Sequence, residues 1–174
     1  MNNSPLVSVV IPTYNRGYIL REAIESALNQ GSAHTEVMVV DDGSTDDTAS
    51  VAAEYTERVE YLYQENQGPG AARSLGVRST RSDYVAFLDS DDVWLPGKVE
   101  TELELFERFP AAGAIASDAD SWLEGSLVEP SWLRSKQGPM GSSDPYLFPL
   151  EDNSWDRMSA KEMTASRKRV SIVQ

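Results

Sequence analysis

The chain has no cysteine among its 174 residues. That excludes disulfides, thiolate catalysis and cysteine-ligated zinc, and it fits a reducing compartment. Histidine is nearly absent. His34 stands alone in a polar stretch beside Thr35 with no nucleophile motif near it, so a surface position is the expectation rather than a catalytic one. Positive charge is also scarce: 15 Lys and Arg against 28 Asp and Glu leave a net charge of −13. That argues against a nucleic-acid binder and against a basic membrane-surface helix. No apolar run approaches the roughly 20 residues that span a bilayer, so no transmembrane segment is expected. The opening Met-Asn-Asn-Ser-Pro lacks the basic and apolar regions of a signal peptide, and the expected location is the cytoplasm. Neither GxGxxG nor the P-loop pattern is present. An acidic protein can still hold an anion when a divalent cation bridges the two, which directs attention to the carboxylates.

What is present suits a globular chain: 40% hydrophobic and 25% charged residues are too apolar a mixture for general disorder. The length predicts one domain. Val7 to Ile11, Val37 to Val40, Val59 to Tyr63, Tyr84 to Leu88 and Gly113 to Ala116 read as strands. Helical spacing covers Tyr18 to Gln30, a stretch ending near Tyr55, Ala71 to Val77, and the segment after Pro96 that carries Val99, Leu103 and Phe106. Ser44 is placed to cap the second helix, with Asp46 and Asp47 in its first turn. This alternation predicts an α/β fold with a doubly wound, mainly parallel sheet, in which ligands sit at the carboxyl ends of the strands. After about Asp118 the pattern decays. Gly125 to Gly141 reads as loop, Ser159 to Ser166 as helix, and Val170 to Val173 as a strand without an evident partner.

Three polar clusters each follow a predicted strand. Asp89-Ser90-Asp91-Asp92 is the densest. Residues two apart on extended backbone point the same way, so Asp89 and Asp91 are expected to share a site. Carboxylates with few other protein ligands suit Mg²⁺ or Mn²⁺, which keep waters and take phosphate oxygens; the bland reading is a solvated acidic turn. Asp41-Asp42-Gly43-Ser44 can offer a carboxylate to a base imide N–H, or can be simple turn chemistry. Pro12-Thr13-Tyr14-Asn15 offers a ring for a nucleobase, or a strand stop with a core tyrosine. A fourth segment, Asn66 to Arg73, is a glycine-containing loop entering a helix, where Arg73 can meet phosphate or lie on a solvated face. Trp122, Trp132 and Trp155 can stack on a sugar but suit core packing better. The basic run Arg167 to Arg169 leaves peripheral membrane contact open.

In this order, the stretches Val7 to Asn15, Val39 to Asp46, Asn66 to Gly76, and Phe87 to Asp92 with Trp94 and Pro96 resemble the family-2 glycosyltransferases across about Leu6 to Asp118. The resemblance implies the GT-A fold, a UDP- or dTDP-linked sugar donor, a divalent metal (Mn²⁺ or Mg²⁺) and a glycan, lipid or other hydroxyl acceptor. It implies a donor-binding region over 1–118 and a partial, irregular acceptor-side region over 119–174. By position, Pro12 and Tyr14 would line the base site and Asp42 would bind the base with Asp41 beside it. Arg73 would lie near base or diphosphate, Asp89 and Asp91 on the donor, and Asp91 or Asp92 on the metal. Ser74 stands where the family often has Asn. An inverting transfer needs a carboxylate base for the acceptor hydroxyl, and Glu151-Asp152 is the available pair, although its surroundings differ from the family's. The alternatives are a non-catalytic nucleotide-sugar-binding fragment, a metal-dependent phosphatase using the same acids, and an acidic structural domain.

Overall fold

The computed structural model describes residues 7–31, 35–117, 120–123, 126–129, 146–149 and 169–173. Strands and helices alternate through the first two thirds: β1 (Val7–Thr13), α1 (Gly17–Leu28), β2 (Thr35–Asp41), α2 (Thr48–Ala53), β3 (Val59–Tyr63), α3 (Pro69–Ser79), β4 (Tyr84–Phe87), α4 (Lys98–Arg108) and β5 (Ala112–Ser117). Four further strands follow: β6 (Ser121–Leu123), β7 (Ser126–Glu129), β8 (Tyr146–Pro149) and β9 (Arg169–Val173).

Seven strands form one sheet in the order β3-β2-β1-β4-β9-β5-β8, parallel except for the antiparallel β5–β8 pair. β1 is buried throughout because it is central and its β-branched side chains meet helices on both faces. On one face Val9 and Ile11 pack with Leu20, Ile24 and Ala27 of α1, Val51 of α2 and Val99 of α4. On the other, Val10, Met38, Val40 and Phe87 pack with Ala72 and Val77 of α3. The sheet is therefore doubly wound, as the alternation predicted.

Three local expectations change. β9 is not an isolated strand: it enters the sheet between β4 and β5. β7 falls inside the segment expected to be loop, and pairs with β6 as a hairpin. Ser44 does not cap α2, which begins four residues later. Asp46 does the nearby work, accepting from Thr48 N–H at 3.0 Å and from Gly17 N–H at 3.1 Å. The helix expected over Ser159 to Ser166 lies outside the described residues.

Candidate functional site

Strand register levels the carboxyl ends of the sheet. Thr13 lies opposite Asp41, and Asp41 opposite Tyr63. Asp42 N–H donates to Thr13 O at 2.9 Å, Gln64 N–H to Asp41 O at 2.9 Å, and Leu88 N–H to Val10 O at 3.1 Å. The segments that leave β1, β2, β3 and β4 thus meet on one edge, and the four sequence clusters are those segments.

The β1 exit is a tight bend. Pro12 is buried opposite Val40, while Tyr14 is 48% exposed on the edge. Asn15 adopts φ 51°, a left-handed conformation that Asn tolerates better than most residues. Its N–H donates to Ser44 Oγ at 2.9 Å, and its Oδ1 accepts from Thr45 N–H at 2.8 Å. These bonds tie the bend after β1 to the turn after β2.

Asp41 and Asp42 are both buried and fully engaged. Asp41 accepts from Ser44 N–H at 2.8 Å and from the Tyr61 hydroxyl at 2.6 Å. Burial first, and then the hydrogen bond to Asp41, hold the Tyr61 phenol above its ordinary range. Asp42 Oδ1 accepts from Gln64 Nε2 at 2.6 Å and Gln67 N–H at 2.9 Å, while Oδ2 accepts from Gly68 N–H at 2.7 Å. Asp42 therefore draws the loop leading into α3 over the end of β2. The approach is close: Gly43 sits at φ 85°, and a Cβ there would lie 2.8 Å from Asn66 N.

The acidic segment follows β4. Asp89 and Asp91, expected to face one site together, go to two different arginines. Arg73 Nη2 of α3 donates to Asp89 Oδ1 at 2.6 Å, and Arg16 Nη1 donates to Asp91 Oδ2 at 2.9 Å. Asp92 has no ion pair among the described residues, and its N–H donates to Asp89 O at 3.0 Å. Partial burial, reinforced by the charges of Asp89 and Asp91, pushes the Asp92 carboxyl up to about 6.

This loop is pinned from behind by α1. Trp94 N–H donates to Ser26 Oγ at 3.1 Å. Gln30, buried just past α1, donates to Leu95 O at 3.1 Å and accepts from Val99 N–H at 3.2 Å. The Lys98 ammonium lies 4.3 Å from the Trp94 ring centre and pairs with the buried Glu102. The acids thus stand on a fixed platform.

Chemically, the loop offers hard carboxylate oxygens whose charges already oppose one another, which suits Mg²⁺ or Mn²⁺. Among the described residues no group of three or more acids, histidines or cysteines is arranged as a ready cation cage. Such a donor set is compatible only with an ion that takes most of its ligands from water and a bound phosphate.

Arg16 and Gln30 join the site from outside the four sequence clusters. A signal existed for Arg16, because the residue after Asn15 leaves a strand that neighbours β4 and therefore lands beside the acids. Glu151, Asp152, His34, Trp132 and Trp155 lie outside the described residues, and Trp122 is on β6.

The pattern described as Glycosyl transferase family 2 matches residues 8–143. An uncharacterized glycosyltransferase of Rickettsia typhi is 40% identical over 152 residues, covering 84% of this chain and 46% of that protein. Chondroitin synthase of Escherichia coli is 43% identical over 128 residues, covering 71% of this chain and 19% of that protein. Staphylococcus aureus TarS, crystallised with UDP, superposes with a TM-score of 0.58 at 26% identity, over 70% of this chain and 37% of that one. The chain spans less than half the length of these relatives. No helix among the described residues is long and apolar enough to cross a membrane. Four ordered motifs on one sheet edge, an α/β architecture shared with TarS and a match over most of the sequence agree: the chain belongs to glycosyl transferase family 2.

Proposed function

We propose that this chain carries the donor site of a glycosyltransferase that takes a UDP- or dTDP-linked sugar and passes it to a glycan, lipid or other hydroxyl acceptor. The observation that carries the reading is the convergence, on one open edge, of the exposed Tyr14 ring, the Asp42-braced loop and the arginine-flanked acids Asp89, Asp91 and Asp92. A base, a diphosphate and a cation would each find groups of suitable chemistry there. TarS gives further support, having been crystallised with UDP and with UDP-GlcNAc.

Tyr14 and Pro12 would shape the base pocket beside Asp41 and Asp42, and Arg73 would face the base or diphosphate. Asp91 and Asp92 would hold Mn²⁺ or Mg²⁺. When bound, such a cation supplies charge neutralisation for the diphosphate as it leaves C1. The fold holds the remaining groups in place before substrate arrives, so little reorganisation opposes binding. Transfer with inversion requires a carboxylate to take the acceptor's proton, and Glu151 and Asp152 are the candidates in this chain. The cysteine-free composition fits action in the cytoplasm.

The test is thermal unfolding with UDP, dTDP and GDP, each with Mn²⁺ and with EDTA, on the wild type and on Asp91→Ala/Asp92→Ala. A ligand that binds only the folded state raises Tm; at a hundred times Kd the gain is about 2.7 kcal/mol. The expected result is a rise with UDP or dTDP that needs Mn²⁺ and disappears in the double variant. A cooperatively folded protein that no nucleotide stabilises would sink the proposal. Sugar transfer from the nucleotide that binds then tests activity.

A further inference from the structure

We propose that Arg16 is a further residue of the donor site, with two alternating partners: Asp91 in the cation-free protein, and the donor diphosphate once a divalent cation has taken Asp91. The inference rests on the donor-site reading above.

Arg16 has a fixed backbone and a movable head. Its N–H donates to Thr48 Oγ1 at 3.2 Å, and its carbonyl accepts from Ile19 and Leu20 N–H at 3.0 Å each, at the start of α1. Its side chain is 40% exposed and reaches Asp91, itself 46% exposed. Ion pairs this wet contribute little and break readily. The guanidinium therefore neutralises Asp91 without locking it.

Charge counting shows why the partner must change. Asp89, Asp91 and Asp92 face two cations, Arg73 on Asp89 and Arg16 on Asp91. A divalent ion on Asp91 and Asp92 would find the Arg16 guanidinium already on one of the oxygens it needs, and the two cations repel. Displaced from Asp91, Arg16 stays tethered within a side chain's length of the acidic loop. A diphosphate bridging to that cation brings the anion that a planar guanidinium pairs with best, through two parallel hydrogen bonds. Arg16 would then oppose cation binding alone and favour the cation and diphosphate together.

This predicts effects of opposite sign from one substitution. In Arg16→Gln, Mn²⁺ alone, followed by the paramagnetic signal of the free ion, should bind about two- to five-fold more tightly, because a weak competing pair is gone. UDP at saturating Mn²⁺, followed by calorimetry, should bind about ten-fold more weakly, because charge-assisted hydrogen bonds are lost. Arg16→Lys should keep the wild-type Mn²⁺ affinity and fall between the two for UDP. If Mn²⁺ binds more weakly to Arg16→Gln, Arg16 supports Asp91 from behind and the exchange is wrong. If the wild type binds UDP and Arg16→Gln binds it equally well, the inference fails while the donor-site reading stands. If the wild type binds neither UDP nor dTDP at saturating Mn²⁺, both fall together.

Discussion

Asp42 and Gly68 are joined by a 2.7 Å hydrogen bond from the glycine N–H to the carboxylate, so a buried acid at the end of β2 fixes the residue from which α3 begins. With Gln64 Nε2 and Gln67 N–H, three donors converge on this one side chain. A turn residue and a loop 22 to 26 positions later thereby become one unit. Asp42→Ala leaves those donors facing a small apolar group. A loss of about 2–3 kcal/mol is expected in urea unfolding. An unchanged midpoint would mean that the loop is held in solution by other bonds.

Gly76 faces Val10 across the interface between α3 and the sheet. A Cβ there would lie 2.4 Å from Val10 Cγ1 and 2.8 Å from Cγ2. Alanine favours a helix by about 1 kcal/mol over glycine, but overpacking costs about 1–3 kcal/mol. Gly76→Ala should therefore destabilise on balance. Val10→Ala removes the clashing methyls, so the double variant should lose less than the sum of the two single losses. Additive losses would show that the clash is relieved by a helix shift instead.

The Gln30 side chain supports the acidic loop from α1's end of the core. Gln30→Ala removes the side-chain acceptor of the buried Val99 N–H and one of two donors to Leu95 O, which keeps Lys98 N–H at 3.4 Å. A stability loss of about 2 kcal/mol is expected, together with faster hydrogen exchange at the Val99 amide than at amides of β2. Equal acceleration everywhere would mark a global effect and remove Gln30 as the local support.

Much of this was legible in the sequence. β3 spans Val59–Tyr63 as its alternation indicates, and the burial of Val99 and Phe106 follows from helical spacing. The four clusters meet where they do because parallel strands place every strand end on the same edge. The place of β9 was not legible. Local pattern says that Val170 to Val173 is extended, but the choice of β4 and β5 as neighbours is made by the sheet, far away in sequence. The pairs Arg73–Asp89 and Arg16–Asp91 were hidden for the same reason. Their partners are 16 and 75 positions apart, and only the β1–β4 adjacency makes the second pair visible. Ser44 misled because a serine before a helix satisfies the capping pattern, whereas here its hydroxyl accepts from Asn15 instead.

Asp92 couples the site to pH. Partial burial comes first and the Asp89 and Asp91 charges second, and together they push its carboxyl from 3.8 up to about 6. The folded protein therefore holds a proton on Asp92 that the unfolded chain has released between about pH 4 and 6. In that window the native state binds more protons, so the contribution of Asp92 to stability falls as pH rises and is at its worst above 6. Asp92→Asn removes the ionisation and should raise stability at pH 7 by on the order of 1 kcal/mol, a figure reduced because solvent screens a group only partly buried. Near pH 4, where the wild-type carboxyl is neutral in the folded state, the advantage should vanish. Tm measured for both proteins at pH 4, 5.5 and 7 reads this directly. An Asp92→Asn variant less stable at pH 7 would show that the charge is already compensated in the protein. A gain at pH 7 would instead identify Asp92 as a residue that costs stability in the absence of a cation, and adding Mn²⁺ should then stabilise the wild type and leave the variant nearly unmoved.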